Sequence, residues 1–231
     1  MISPTPIFKP FNFSQGIEWP ADHVFIIPVN EYFDSIKNSF HSVLSDKECQ
    51  KAICFSRAED QKSYIVRKHF TRDILAILSK KDAKEIIFEF GRNKKPIVKS
   101  IPFNTSHSAN LVAFALSSGE VGVDVEYLKE DFSYQIMLND CFNAAEQIEI
   151  TKSADPLYNF YVLWTRKEAL LKANGAGIND YNLNEIDVRS ALSSYADQTY
   201  KIYSSIIFER YALSTAWASN GEKINYWTLP T

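Results

Sequence analysis

Cysteine is scarce in this sequence, and the few cysteines that occur are not arranged in pairs. Cys49, Cys54 and Cys141 are odd in number among 231 residues and form no C-x-x-C motif. This pattern argues against a disulfide framework and against a cysteine-based zinc site. It is typical of a protein in a reducing compartment, and we interpret the three thiols as buried hydrophobic groups.

Long apolar runs and a strong excess of one charge are also missing. No stretch reaches membrane-spanning length, and the N-terminus lacks the basic segment followed by an apolar run that marks a secretory signal. The net charge of −3 gives no broad electropositive field for nucleic acid. These absences predict a cytoplasmic protein that binds neither membranes nor nucleic acid.

The composition that is present is that of an ordinary globular protein, with 45% hydrophobic and 23% charged residues. A chain of 231 residues forms one domain or two small domains packed together. Helical patterns followed by strands occur twice, which predicts an α+β fold of two similar halves. We place these halves at residues 1–127, with an extended lead-in over 1–20, and at residues 128–231.

Helix starts are indicated by capping-box pairs, in which Ser or Asn is followed by Glu three residues later. The pairs are Ser45 with Glu48, Ser56 with Glu59, and Asn143 with Glu146. The second pair opens a helix to about residue 78 that is rich in Lys62, Arg67, Lys68 and Arg72. The simpler interpretation of these basic residues is a solvated face, and the alternative is a patch that faces phosphate.

The stretch from Trp164 to Lys172 has an unusual pattern inside a helix predicted from about residue 155 to 173 and ended by Gly175 and Gly177. At about 3.6 residues per turn, Glu168 falls on a stripe that is otherwise apolar. The stripe consists of Leu157, Phe160, Tyr161, Trp164, Glu168 and Leu171. A buried carboxylate is costly unless it is paired or bound to a metal. The candidate partners are Lys172, one turn later, or an ion held by another segment.

That other segment is V-G-V-D-V-E at residues 121–126, where alternation predicts a strand with Asp124 and Glu126 on one face. Two carboxylates ~6–7 Å apart repel by roughly 2–3 kcal/mol at an effective dielectric of ~20, and a divalent cation would reverse this. Together with Glu168 they form a set of hard oxygen ligands suited to Mg²⁺ and substrate phosphates. A further strand is predicted at 111–116. The turn at Gly119 suggests that this strand and the strand at 121–126 form a hairpin.

Three motifs occur in order along the chain: F-N-T-S-H-S at 103–108, G-V-D-V-E at 122–126, and W-T-R-K-E-A at 164–169 followed by Lys172. Together they resemble the 4′-phosphopantetheinyl transferases, and the length resembles the broad-range monomeric type. The resemblance covers roughly residues 45–180. It implies two α+β halves related by a pseudo-twofold axis, with the active site at their interface.

The activity that the resemblance implies is transfer of the phosphopantetheine arm from coenzyme A to a serine of an apo carrier protein, with Mg²⁺. Adenosine 3′,5′-bisphosphate would be released. The carrier would be an acyl, peptidyl or aryl carrier protein, with a siderophore or other secondary-metabolite pathway as a plausible setting. A monomer is expected, because both parts of the site lie in one chain.

Residue roles follow from the resemblance by position. Asp124, Glu126 and Glu168 resemble the metal-binding acids, and Glu168 would also serve as or orient the base. Lys172 would contact the diphosphate. The remaining matches are coenzyme A ligands: Ser106, His107 and Lys95, with Lys51, Arg57 and Arg72 as weaker matches. The basic loop 91–95 leaves open whether Lys94 or Lys95 reaches a phosphate.

Two other functions are compatible with these residues. One is a catalytically silent module that binds carrier proteins or coenzyme A, although the intact acids and Lys172 argue against it. The other is a different Mg²⁺-dependent phosphotransfer or hydrolytic enzyme that uses the same acids.

Overall fold

The computed structural model describes residues 2–176, 183–218 and 223–229. Its α-helices are α1 (Val29–Ile36), α2 (Asp46–Ile53), α3 (Ala58–Ser79), α4 (Leu138–Cys141), α5 (Ala144–Thr151) and α6 (Pro156–Asn174). Its strands are β1 (Lys9–Pro10), β2 (Asp22–Pro28), β3 (Glu89–Phe90), β4 (Pro96–Ile97), β5 (Phe103–Ser108), β6 (Leu111–Leu116), β7 (Val121–Tyr127), β8 (Leu192–Tyr195), β9 (Gln198–Ile207), β10 (Tyr211–Trp217) and β11 (Ile224–Thr228). The predicted α+β class is confirmed.

The strands form a five-stranded sheet, β1-β11-β2-β6-β5, a four-stranded sheet, β7-β10-β9-β8, and the small pair β3-β4. Strand β5 is therefore an edge strand of the first sheet, and β7 is an edge strand of the second. The hairpin expected between β6 and β7 is wrong: β6 pairs with β5, and β7 pairs with β10. The turn after Leu116 instead carries the chain from the first sheet to the second.

The sheets do not follow the predicted boundary at residue 127. Strand β7, which precedes that boundary, pairs with the C-terminal strands, and β11 lies parallel to both β1 and β2. The boundary and the pseudo-twofold axis remain predictions.

One local arrangement occurs twice along the chain. The capping-box glutamates Glu48 and Glu146 each begin a short helix and are buried. Arg72 of α3 bonds to Glu48 at 2.6 Å, and Lys167 of α6 pairs with Glu146 at 2.7 Å. Both cations also donate to backbone carbonyls of the segment that follows their helix, at Ala83 and at Leu183. Each long helix is thus tied to the short helix before it and to the chain after it.

The predicted long helix is confirmed as α6, which ends at Gly175 with a left-handed φ of 78°; Gly177 lies outside the described residues. Apolar side chains on several sides of α6 are buried, together with Arg166 and Lys167. Among the described residues no helix is long and apolar enough to cross a membrane.

His23 is a buried imidazole in the first sheet, and its surroundings disfavour the protonated form. Its Nε2 bonds to the carbonyl oxygen of Glu18, and its Nδ1 accepts a hydrogen bond of 2.9 Å from the indole of Trp227 on β11. Burial lowers the pKa of His23. The unfolded chain therefore binds the proton first, and stability present above pH ~6.5 is lost as the pH falls toward the folded-state pKa.

We expect the free energy of unfolding to fall more between pH 7.5 and 5.5 in the wild type than in His23→Gln, because the variant has no imidazole to protonate. Urea unfolding of both proteins at the two pH values measures this difference. An identical pH dependence would show that His23 does not contribute.

Candidate active site

The two sheets meet where β5 lies beside β7, and side chains rather than backbone hydrogen bonds join these strands. Asn104 accepts a bond from the amide of Val123, Ser106 donates to Asp124 at 2.7 Å, and Ser108 donates to Glu126 at 2.8 Å. Alternate residues of β5 therefore fix both acids of β7, as the period of two requires.

Helix α6 packs on the face of β7 that carries Gly122, Asp124 and Glu126. A Cβ atom on Gly122 would lie 2.0 Å from the carbonyl oxygen of Ala169 and 2.4 Å from the amide nitrogen of Ala173. The absence of a side chain thus lets the helix backbone rest directly on the strand. This close approach brings the end of α6, with Glu168 and Lys172, to the two acids. The valines of β7 lie in the apolar core on the opposite face.

Lys172 connects the helix to both strands. Its ammonium lies 2.6 Å from Asp124 Oδ1 and 3.1 Å from Ser106 Oγ. The sequence left Lys172 as a possible partner of Glu168, but among the described ion pairs Lys172 is bound to Asp124.

Glu126 and Glu168 lie in an environment that disfavours their charge. Burial, and then the charge of Asp124, raises the pKa of Glu126 to about 7. Burial also raises the pKa of Glu168 to about 7, with further contributions from the charges of Asp124 and Glu126, while Lys172 opposes the shift. The three carboxylates therefore repel one another, and the single positive charge of Lys172 offsets their negative charge only in part.

The other residues predicted to bind coenzyme A differ in their surroundings. Desolvation by the surrounding protein lowers the pKa of the His107 imidazole to about 4, and the charges of Arg67 and Lys172 contribute to the same shift. Lys51 lies on α2 and Arg57 immediately precedes α3, and both are exposed. Arg72 is bound to Glu48 and to backbone carbonyls, so its guanidinium has a structural role.

Comparisons of this chain with known proteins all point to the same family. The model of the 4′-phosphopantetheinyl transferase superfamily matches residues 120–216, which include β7 and α6. A putative 4′-phosphopantetheinyl transferase of Synechocystis sp. is 28% identical over 196 residues, covering 81% of this chain and 78% of that protein. The transferase psf-1 of Bacillus pumilus is 29% identical, covering 66% of this chain and 65% of its own length. The transferase AcpT of Escherichia coli is 36% identical over 97 residues, which cover 39% of this chain and 49% of AcpT. The segment that holds β7 and α6 is thus similar to the 4′-phosphopantetheinyl transferase superfamily, and the relatives of 28–29% identity extend the similarity over most of the chain.

The geometry of the three acids bears on whether they suit a metal ion. Asp124 Oδ2 is buried and has no hydrogen-bond partner, so one oxygen is available to a cation. Burial, and to a lesser extent the charges of neighbouring acids, raises the pKa of Glu126 and of Glu168, so a cation would favour their charged forms. Within the described residues, however, no group of three His, Cys, Asp or Glu side chains is arranged to hold a metal. Within the described residues these acids thus suit Mg²⁺ only together with other oxygen ligands, such as substrate phosphates.

Three residues that position the site are not indicated by the sequence motifs. The pattern at 121–126 marks Gly122 only as a strand residue, although α6 rests on it. Arg166 and Lys167 are almost completely buried and donate to backbone carbonyls after α6, at Val188 and at Leu183. The available signal was the neighbourhood of these cations, which lie in a helix with apolar residues on several sides.

Lys95, predicted as a phosphate ligand, lies at the end of α6. Its ammonium donates to the carbonyl oxygens of Lys172 at 2.6 Å, Ala173 at 2.9 Å and Val121 at 3.3 Å. Burial lowers its pKa to about 8, opposed by the charge of Glu120. Lys95 thus joins the basic loop 91–95 to the last turn of α6 and to β7.

We expect Lys95→Met to lower the free energy of unfolding by about 1–3 kcal/mol, because it leaves carbonyls at the helix end without their charged donor. Lys94→Met, at the exposed neighbouring residue, is the matched control and should be nearly neutral. Guanidinium unfolding measures both. A raised KM for coenzyme A with unchanged stability would instead support direct phosphate binding by Lys95.

Proposed function

We propose that this protein transfers the 4′-phosphopantetheine arm of coenzyme A to a serine hydroxyl of an apo carrier protein, and that the reaction requires Mg²⁺. The observation that supports the proposal most is the meeting of Asp124 and Glu126 on β7 with Glu168 and Lys172 on α6. In a chain similar to this superfamily, such a cluster of acids with a lysine suits phosphoryl chemistry.

In the proposed reaction the serine oxygen attacks the phosphorus that carries the pantetheine arm. The bond from that phosphorus to the bridging oxygen breaks, and adenosine 3′,5′-bisphosphate leaves. Asp124, Glu126 and Glu168 would hold Mg²⁺ together with the substrate phosphates, because the three acids are not arranged as a complete metal site in the described residues, and the ion would neutralise charge on the diphosphate. Lys172 would contribute a positive charge beside these oxygens, in addition to its contact with Asp124.

Glu168 is the proposed acceptor of the serine proton. Serine has a high pKa, so a base must take its proton as the new bond forms. An acceptor whose pKa lies near 7 is suited to this task at neutral pH, and burial gives Glu168 such a value. Because Glu168 and Lys172 are one turn apart on α6, a single rigid helix positions both the base and the cation.

The direct test is incubation of the protein with coenzyme A, Mg²⁺ and a panel of apo carrier proteins, followed by mass spectrometry. The panel contains fatty-acid, polyketide and nonribosomal-peptide carriers, because the carrier and its pathway are part of the proposal. Addition of the arm to one or more carriers is expected. Binding of coenzyme A without addition to any carrier would favour the silent binding module.

A further inference from the structure

Ser108, the last residue of β5, makes two hydrogen bonds to β7 through one hydroxyl group. Its oxygen accepts from the amide of Tyr127 at 3.0 Å, and its O–H donates to Glu126 Oε2 at 2.8 Å. A hydroxyl has a single proton, so the bond to the carboxylate uses the only donor that Ser108 has. Because Tyr127 directly follows Glu126, the serine holds the Glu126 carboxylate beside the backbone of its own strand.

Each acid of β7 is bonded through one oxygen and keeps the other. Asp124 accepts from Ser106 and from Lys172 through Oδ1, and its Oδ2 has no partner. In the part of the chain that the structure describes, Glu126 accepts only the bond from Ser108, through Oε2. Oε1 of Glu126 is thus the counterpart of Oδ2 of Asp124. Two anchored carboxylates that each keep one oxygen are suited to a hard cation.

Glu168, the third acid, has no such anchor. It lies one turn before Lys172 on α6, and the groups of the described residues that act on its carboxylate do so through charge and not through a hydrogen bond. The two glutamates therefore differ in how they are held. Glu126 is fixed in one orientation by Ser108, whereas Glu168 keeps both oxygens for the substrate.

The backbone at Ser108 is in turn fixed by α1. The turn after Ser108 joins β5 to β6 and contains Asn110. The side-chain oxygen of Asn110 accepts from the amide of Asn30 at 3.0 Å, and its carbonyl oxygen accepts from the amide of Val29 at 2.9 Å. Ser108 thus lies beside a turn that is bonded to the start of a helix, as a group that orients another side chain requires.

We propose that Ser108 is a positioning residue for Mg²⁺: it orients Glu126 so that Oε1 faces the ion, which makes Glu126 a metal ligand and leaves proton transfer to Glu168. This inference rests on the proposed function, because that function requires the ion. Hydrogen bonds to a metal ligand fix its orientation, and their loss typically lowers metal affinity by about 10- to 100-fold. Removal of the Ser108 hydroxyl should therefore weaken the binding of Mg²⁺ and not the binding of coenzyme A itself.

Calorimetric titration of Mg²⁺ into the protein, with and without coenzyme A, tests this role and needs no transfer. We expect Ser108→Ala to raise Kd for Mg²⁺ by about 10- to 100-fold and to leave Kd for coenzyme A, measured in EDTA, within about twofold. Ser108→Thr keeps the hydroxyl and should restore Mg²⁺ binding to near the wild-type value. Ser118→Ala, which removes an exposed serine between β6 and β7, is the matched control and should change neither constant.

The results also separate this inference from the proposed function. If the wild type transfers the arm but Ser108→Ala binds Mg²⁺ as tightly as the wild type, the role of Ser108 is overturned and the transfer stands. An equal loss of affinity for Mg²⁺ and for coenzyme A, or no restoration by Ser108→Thr, would also overturn it. If the wild type transfers no arm to any carrier, the proposed function fails, and the Mg²⁺ titrations still decide the role of Ser108.

Discussion

Replacement of Asp124 by asparagine should lower kcat/KM for transfer at least about a hundredfold while the protein remains folded. The amide keeps the shape of the side chain and an oxygen that can accept from Ser106. It removes the negative charge that pairs with Lys172 and the buried oxygen proposed to bind Mg²⁺. Initial rates with coenzyme A and an apo carrier, together with circular dichroism, measure both parts of the prediction.

Asp131→Asn is the control for this experiment, because it neutralises an exposed acid shortly after β7 and should leave the rate unchanged. Titration with Mg²⁺ adds a second readout, since the Asp124 variant should need far more of the ion. Full activity of Asp124→Asn at the same Mg²⁺ concentration would refute the metal assignment.

Gly122→Ala should have the second large effect, on stability and on activity together. Its Cβ atom would lie 2.0 Å from the carbonyl oxygen of Ala169, which belongs to the helix backbone and cannot rotate away. Helix α6 must shift, and overpacking of this kind costs about 1–3 kcal/mol or more. A displacement of about 1 Å also lowers catalysis on the order of a hundredfold, because Glu168 and Lys172 move with the helix.

Urea unfolding and initial rates of transfer test this prediction on the same preparation. Gly91→Ala is the control, because there the nearest atom to a new Cβ is the end of the flexible Ile97 side chain. It should lose much less stability. If Gly122→Ala were as stable and as active as the wild type, the close contact between α6 and β7 could not be what positions the site.

The parts of the fold that the sequence predicts well are those governed by local periodicity. Alternation in 121–126 correctly places Asp124 and Glu126 on one face of β7, opposite the valines. The boundaries of α6 follow from the capping residue Asp155 and from Gly175. The capping boxes at Ser45 and Asn143 are also confirmed. The one at Ser56 is wrong, because α3 follows Arg57, which makes no side-chain cap.

What the sequence did not predict depends on contacts between distant segments. The residues of a turn do not reveal whether it closes a hairpin or carries the chain to another sheet. The sequence therefore predicts that β7 pairs with β6, whereas it pairs with β10. The charges of Arg166 and Lys167 suggest solvent exposure, yet their partners lie about twenty residues away, at Val188 and Leu183. Glu146, read as a cap, is also the partner of Lys167.

The position of β11 has a consequence for how the chain folds during synthesis. This strand lies between β1 and β2, so the first sheet lacks an interior member until residue 228 has left the ribosome. Until then one edge of β2 has no neighbour, and closing the gap joins segments about two hundred residues apart, which is slow. Nascent chains should therefore acquire protease resistance in this sheet only after residue 228 has emerged, even though most of its strands emerge early.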